Sequence, residues 1–282
     1  MKIAILSGKG GTGKTTVSTN FAWVLSKTIS VQLLDADVEE PNDHIFFNVS
    51  FDYEENVELL LPLVNNEICI KCGKCSNNCQ FGAISVFNSG TLVFENLCHG
   101  CGVCEMVCPV NAITERPKNI GKVMIGTINK NLKFGMGILK IGEPSGVKII
   151  RQLKKHIDNK VEVVIIDSQP GTSCPVVETL RNVDFAILVT EPTTFGLHDL
   201  SLAVELIKDM KIPSGIIINR DNFRTNIIDN FAKKEKIPIL MKIPFKKQIA
   251  RIYSEGNLFS EFLPEFQEKF LSVYETIKEL IK

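Results

Sequence analysis

Short runs dominated by Val, Ile and Leu recur along the chain: Lys2–Leu6, Val31–Leu34, Val161–Asp167, Phe185–Thr190 and Gly215–Asn219. They do not alternate apolar with polar residues, so each predicts a strand covered on both faces. Segments of helical period lie between them. Val17, Phe21, Val24 and Leu25 share one face of a helix, with Trp23 beside it. Glu143-Pro144-Ser145 opens a helix through Ile157, with Ser145 as a candidate cap, and another helix starts near Leu197. The last helix, Pro264–Lys282, puts Phe266, Phe270, Val273, Ile277 and Ile281 on one face. Apolar strands alternating with helices predict an α/β fold, a mostly parallel sheet with helices on both faces. Residues 121–142 are glycine-rich and partly alternating, which predicts a hairpin or extended arm. Residues 63–118 interrupt the pattern, so the larger unit is expected at 1–62 and 119–282, with a small unit inserted between.

Composition narrows this little. A chain of 282 residues, 44% hydrophobic and 23% charged, is ordinary for a globular protein. A net charge of zero argues against broad binding to nucleic acid or anionic membranes. No apolar run reaches the length of a membrane span, and the N-terminal run is too short for a signal peptide. The expected location is cytoplasmic. The polar face of the last helix mixes Glu268, Lys269, Glu275, Lys278, Glu279 and Lys282. It lacks the basic bias of a membrane-surface helix, so packing against the core is expected.

The interruption is where the cysteines are. Eight of the nine fall in two copies of one pattern, Cys69-x2-Cys72-x2-Cys75-x3-Cys79 and Cys98-x2-Cys101-x2-Cys104-x3-Cys108. Each recurs 29 residues later, as do Gly73/Gly102, Ala83/Ala112 and Ile84/Ile113. This is the spacing of two [4Fe-4S] clusters in a bacterial-type ferredoxin, a small α+β domain in which the fourth cysteine of each run serves the other cluster. Cys69, Cys72, Cys75 and Cys108 are therefore assigned to one cluster, and Cys98, Cys101, Cys104 and Cys79 to the second. Structural zinc favours separated Cys pairs or Cys/His mixtures, and disulfides need an oxidising compartment. Gln80 stands where the second run has Pro109, which puts local geometry in question rather than ligation. His44, His99, His156 and His198 form no motif.

The first strand runs into Ser7-Gly8-Lys9-Gly10-Gly11-Thr12-Gly13-Lys14-Thr15-Thr16 and then a helix. Strand, glycine loop and helix together make a phosphate loop for ATP or ADP. Its backbone N–H groups and the helix N-terminus face phosphate oxygens, Lys14 reaches the β- and γ-phosphates, and Thr15 ligates Mg2+. Asp35 and Asp37 end the second strand on one side of an extended chain, placed to orient water or Mg2+, or to cap a turn. Asp167 ends a buried strand and would bring a carboxylate to the Mg2+ shell. Ser168-Gln169-Pro170-Gly171-Thr172 follows. On spacing alone Lys9 reads equally as a solvated loop lysine, and Gly171 as part of an ordinary strand-end turn.

The loop from Lys9 to Thr16 resembles the KGGxGKT[ST] loop of MinD/ParA-type ATPases, whose relatives include the nitrogenase iron protein and the Mrp-type iron–sulfur carriers. With the cysteine repeat, essentially the whole chain resembles members of that superfamily carrying an inserted ferredoxin domain. The resemblance implies an ATP-dependent homodimer in which Lys9 reaches the partner's nucleotide. It implies that Asp37 positions the attacking water, with Asp35 behind the Mg2+ ligands or on the Mg2+ side. It further implies a Gly171 N–H toward the γ-phosphate, Asn219 reading adenine, and the Pro244-Phe245 loop closing over the base. Cys174 is the remaining cysteine. A cysteine in the comparable stretch of the nitrogenase iron protein helps hold a shared cluster, but such a site needs two thiolates per subunit, so a buried structural thiol or a simple helix start is expected.

Three functions follow. The leading one couples ATP state to electron transfer through the two clusters toward a redox protein. The second is a metallocluster assembly or carrier ATPase serving an acceptor protein. The third, from the resemblance alone, is a positioning ATPase.

Overall fold

The computed structural model describes residues 1–222 and 225–282. Its strands are β1 (Lys2–Leu6), β2 (Val31–Ala36), β3 (Ser50–Val64), β4 (Ile84–Phe87), β5 (Gly90–Val93), β6 (Ile113–Asn129), β7 (Leu132–Leu139), β8 (Val163–Ser168), β9 (Phe185–Thr190), β10 (Ser214–Asp221) and β11 (Ile239–Pro244). Its helices are α1 (Lys14–Ser26), α2 (Lys74–Asn77), α3 (Val103–Met106), α4 (Val147–Lys155), α5 (Cys174–Leu180), α6 (Thr194–Asp209), α7 (Ile227–Glu235), α8 (Lys247–Ser254), α9 (Phe259–Phe262) and α10 (Pro264–Ile281).

Nine strands form one sheet in the order β11-β10-β9-β1-β8-β2-β7-β6-β3. From β11 to β7 neighbours run parallel, and β6 and β3 are added antiparallel. The apolar strands are buried on both faces. Ile3, Ile5, Leu33 and Ile165 join one buried cluster; Ala4 and Leu6, and Leu34 and Ile166, join clusters on the other side. That split follows from the two-residue period of a strand. The expected parallel α/β sheet is thus present.

The glycine-rich arm is β7 together with the part of β6 that pairs with it, and β7 lies inside the sheet, parallel to β2. β3 was not legible beforehand. It is a long, largely exposed edge strand whose partner β6 lies far along the chain. The two pair from Ser50↔Thr127 to Val64↔Ile113, continuing through Pro62↔Glu115 and shifting register between Val57↔Gly121 and Glu58↔Asn119. β7 leaves off at Gly121, so the far end of the β3–β6 pair extends as a two-stranded ribbon. Residues 65–112, with all eight repeat cysteines, connect its strands. Pro62 lies on the sheet edge, where a missing N–H is tolerated.

α10 packs on α1, and Phe270 stacks on Phe21 with ring centroids 5.8 Å apart. Phe266, Phe270, Val273 and Ile277 are all buried, so its apolar face is spent on the core. No described helix is long and apolar enough to cross a membrane. Phe270→Ala is expected to destabilise the protein by about 3–5 kcal/mol in chemical denaturation, as for other fully buried phenylalanines. A loss below about 1 kcal/mol would mean that the helix is peripheral.

Candidate functional site

β1 delivers the chain into the glycine loop at the carboxyl edge of the parallel strands, the usual ligand position in such sheets. Gly11 and Gly13 take φ of 77° and 95°, which favours glycine. Space matters as well at Gly13, where a Cβ would lie 2.2 Å from Asn219 Nδ2. Lys14, the first residue of α1, is buried, while Lys9 is half-buried and Gly10 exposed. Gly8 packs tightly on the backbone of Asp199 in α6. Thr12 is buried beneath the loop.

Facing the loop is a cleft of about 1100 Å3, including its open mouth. Lys14, Thr15, Thr16 and Asp37 line one side, and Phe245, Ile249 and Tyr253 the other. Lys9 and Gly8 do not line it. Lys9 Nζ has no ion pair among the described residues.

Two residues have partners that no sequence pattern indicated. The amide of Asn219 is engaged at both ends: Nδ2 donates to Thr12 O at 2.8 Å, and Oδ1 accepts from Arg220 N at 2.9 Å. It braces the phosphate loop and lines the cleft, the place expected for base reading. Gly171, with φ of 92°, donates its N–H to Ser7 O at 2.8 Å, not into the cleft. It ties the segment after β8 to the end of β1.

Thr15 Oγ1 donates to Asp167 Oδ2 at 3.0 Å, so the loop hydroxyl and the β8 carboxylate meet. Asp35, expected at or behind the Mg2+ ligands, has both oxygens occupied. Oδ1 accepts from Asp37 N at 3.1 Å; Oδ2 accepts from Asn42 N at 2.9 Å and Asp43 N at 3.0 Å. It is a clasp that folds the loop after β2 back on itself.

That fold brings in Asp43, which no sequence motif marked. Asp43 is fully buried, and Ser18 Oγ of α1 is 3.5 Å from its Oδ1. Asp43 neighbours Asp167, whose charge opposes its ionisation. Asp43 Oδ2 and Asp167 Oδ1 are enclosed without a donor partner among the described residues.

Burial is the main cause holding Asp35, Asp43 and Asp167 above the usual carboxylate range. Repulsion between carboxylates adds to it at Asp35 and Asp43, and Lys14 and Thr15 moderate it at Asp167. Burial also raises Asp37 to about 6, with Lys14 opposing and Asp167 adding. Two enclosed carboxylate oxygens beside a threonine hydroxyl form an oxygen-only donor set, which fits a hard divalent cation.

In the ribbon connection the sequence repeat is also a backbone repeat. α2 and α3 lie 29 residues apart. Positive φ recurs at Lys71/Gly100, Gly73/Gly102 and Gly82/Asn111. Ala83 N and Ala112 N donate to Cys79 Sγ at 3.3 Å and Cys108 Sγ at 3.1 Å. The structure gathers Cys69, Cys72, Cys75 and Cys108 around one cavity. Cys79, Cys98, Cys101 and Cys104 surround another. Each cavity thus takes three thiols from one run and the fourth from the other.

Among the described residues no three Cys, His, Asp or Glu side chains form a site for a single metal ion. The thiols are distributed around each cavity, a thiol-only set that fits a polynuclear iron–sulfur group. Burial pushes the Cys75 and Cys98 thiols up and Cys104 to about 11, while the Thr91 hydroxyl holds Cys69 down. Cys174 is exposed at the start of α5, so the buried thiol expected there is not found.

A protein-family model for the CobQ/CobB/MinD/ParA nucleotide-binding domain matches residues 3–259. The chain is 35% identical to the uncharacterized protein MJ0578 of Methanocaldococcus jannaschii, over all of this chain and 98% of that one. It is 26% identical to a Pyrococcus horikoshii iron–sulfur cluster carrier protein, over 86% of this chain and 73% of the relative. Among solved structures, the septum site-determining protein MinD of Pyrococcus horikoshii, complexed with Mg-ADP, superposes with a TM-score of 0.61 at 20% identity. That match covers 99% of this chain and 96% of the other, and shows a common fold. The loop, the cleft and these matches agree, and the chain belongs to the CobQ/CobB/MinD/ParA nucleotide-binding family.

Proposed function

We propose that this protein is a Mg2+-dependent ATPase that assembles or carries iron–sulfur clusters. One observation supports the reading above others: a phosphate-loop cleft and two four-cysteine cavities are built on a single sheet. The carrier function named for the Pyrococcus relative favours this over electron transfer as the primary role.

In the cleft, the loop amides and Lys14 bind phosphate, and Asp37 orients water. Thr15, Asp167 and Asp43 hold Mg2+, which supplies charge neutralisation during phosphoryl transfer. Asp35 fixes the loop that carries Asp37 and Asp43. Lys9 stands outside its own cleft without an ion pair among the described residues, and we assign it to the nucleotide of a second copy in an ATP-dependent homodimer. Phe245 and Tyr253 offer the base an aromatic wall. In the ribbon connection, Cys69, Cys72, Cys75 and Cys108 hold one [4Fe-4S] cluster; Cys79, Cys98, Cys101 and Cys104 hold the other.

A second reading, ATP-gated electron transfer to a redox protein, is favoured by the completeness of each thiol set, since four cysteines per site suit a resident cluster. Anaerobically reconstituted protein, offered to an apo [4Fe-4S] enzyme, separates the two. The carrier reading expects Mg-ATP to raise acceptor activation, and Lys14→Ala to abolish that response and lower ATP hydrolysis by about a hundredfold or more. Acceptor activation that never occurs, alongside ATP-dependent reduction of a one-electron acceptor, would establish the second reading instead.

Asp43→Asn is expected to weaken Mg2+ binding about 10–100-fold, as loss of a carboxylate around a metal typically does. A Mg2+ titration of fluorescent-ADP binding reads this. An unchanged midpoint would remove Asp43 from the metal site.

A further inference from the structure

The two cysteine cavities have the same local backbone and different surroundings. The cavity of Cys79, Cys98, Cys101 and Cys104 is walled by Leu60 and Pro62 from β3 and by Glu115 from β6. The cavity of Cys69, Cys72, Cys75 and Cys108 has no β3 residue in its lining and meets the ribbon at Ile113, the first residue of β6. The first is therefore the inner site, seated on the sheet ribbon, and the second the outer one.

One pair of repeat-equivalent residues makes the contrast concrete. Gly100 and Lys71 both take a left-handed backbone, with φ of 62° and 56°. At Gly100 a Cβ would lie 2.6 Å from Leu59 Cδ1 and 2.9 Å from Leu60 O, so this loop lies flush against β3. Only glycine meets both the conformation and the contact. At position 71 the lysine is exposed, and its Nζ reaches Asn88 O at 2.6 Å within the same small unit.

The cores differ in the same sense. Cys98 and Ala83 belong to a buried cluster that includes Leu59 and Leu61 of β3, Ile149 of α4 and Val38. Cys75 belongs to a small cluster with Ile84 and Ile113, against which Val64 of β3 and Cys79 and Cys104 of the inner quartet pack. Val38 directly follows Asp37 of the nucleotide cleft. Its carbonyl accepts from Leu139 N at 2.7 Å, and its methyl groups fill the space above Gly137 and Gly146. A shift of the loop after β2 therefore moves close-packed side chains that reach the inner site first, the outer one lying a packing layer further on, beyond Cys79. Packed interiors transmit such strain because they contain few voids to absorb it.

We propose that the two cysteine sites are unequal in role: the inner site, flush against β3, responds to the nucleotide in the cleft, and the outer site, one packing layer further on, does not. This rests on the reading that each quartet holds a [4Fe-4S] cluster.

Two double variants test it. Cys72→Ser/Cys75→Ser leaves the inner site alone; Cys101→Ser/Cys104→Ser leaves the outer. After anaerobic reconstitution and reduction, electron paramagnetic resonance spectra are recorded without nucleotide, with Mg-ADP and with Mg-ATP. The inner-only protein is expected to change its g-values or line shape with nucleotide, and the outer-only protein to keep them. Wild-type protein treated with an iron chelator in Mg-ATP should lose iron in two phases of equal size, and Mg-ATP should alter only one of them. That measurement stands if a variant fails to fold.

A nucleotide response in the outer-only protein, or none in the inner-only protein, overturns the proposal. So does a single phase of iron loss from wild type. Wild-type protein with no cluster signal at all would instead overturn the reading beneath it.

Discussion

The antiparallel ladder between β3 and β6 makes one protein of two chemistries. In a parallel α/β sheet, each strand is normally followed by a helix that returns the chain. Here the chain leaves β2, passes the loop held by Asp35 and enters an edge strand that overshoots β7. It returns along β6 only after the eight repeat cysteines have been displayed. Because β6 also pairs with β7, the ribbon is hydrogen-bonded to the sheet that carries Asp35 and Asp167. The cysteine unit is thus anchored by backbone pairing and a shared apolar cluster, not tethered by a linker.

The nucleotide end is dominated by negative charge kept out of water. Asp35, Asp43 and Asp167 are buried together, and each is held above the usual carboxylate range. Asp35 offsets its burial with three backbone N–H donors, at the cost of being unavailable to a cation. Asp43 and Asp167 are not offset in that way, and their enclosed oxygens fit the proposed Mg2+. A loop folded by one carboxylate and charged by another is well suited to respond to Mg-nucleotide.

What was legible in the sequence was what local pattern controls. β1, β8 and β9 are read from unbroken apolar runs, the phosphate loop from glycines between strand and helix, and the cysteine quartets from spacing that the backbone repeats. What was not legible depends on distant partners. β3 is polar along much of its length and owes its strand to β6. Asp43 becomes a site residue only because Asp35 turns the loop beneath α1. The bonds of Gly171 to Ser7 and of Asn219, at the cleft wall, to Thr12 join residues far apart in sequence. Cys174 lies at an exposed helix start that composition alone could not separate from a buried one.

The account depends most on the two quartets being iron–sulfur sites. Iron and acid-labile sulfide in anaerobically reconstituted and desalted protein test this most directly. Two cubane sites predict about eight iron and about eight sulfide per chain. Zinc at about one or two per chain without sulfide, or eight thiols that remain freely titratable after reconstitution, would contradict it.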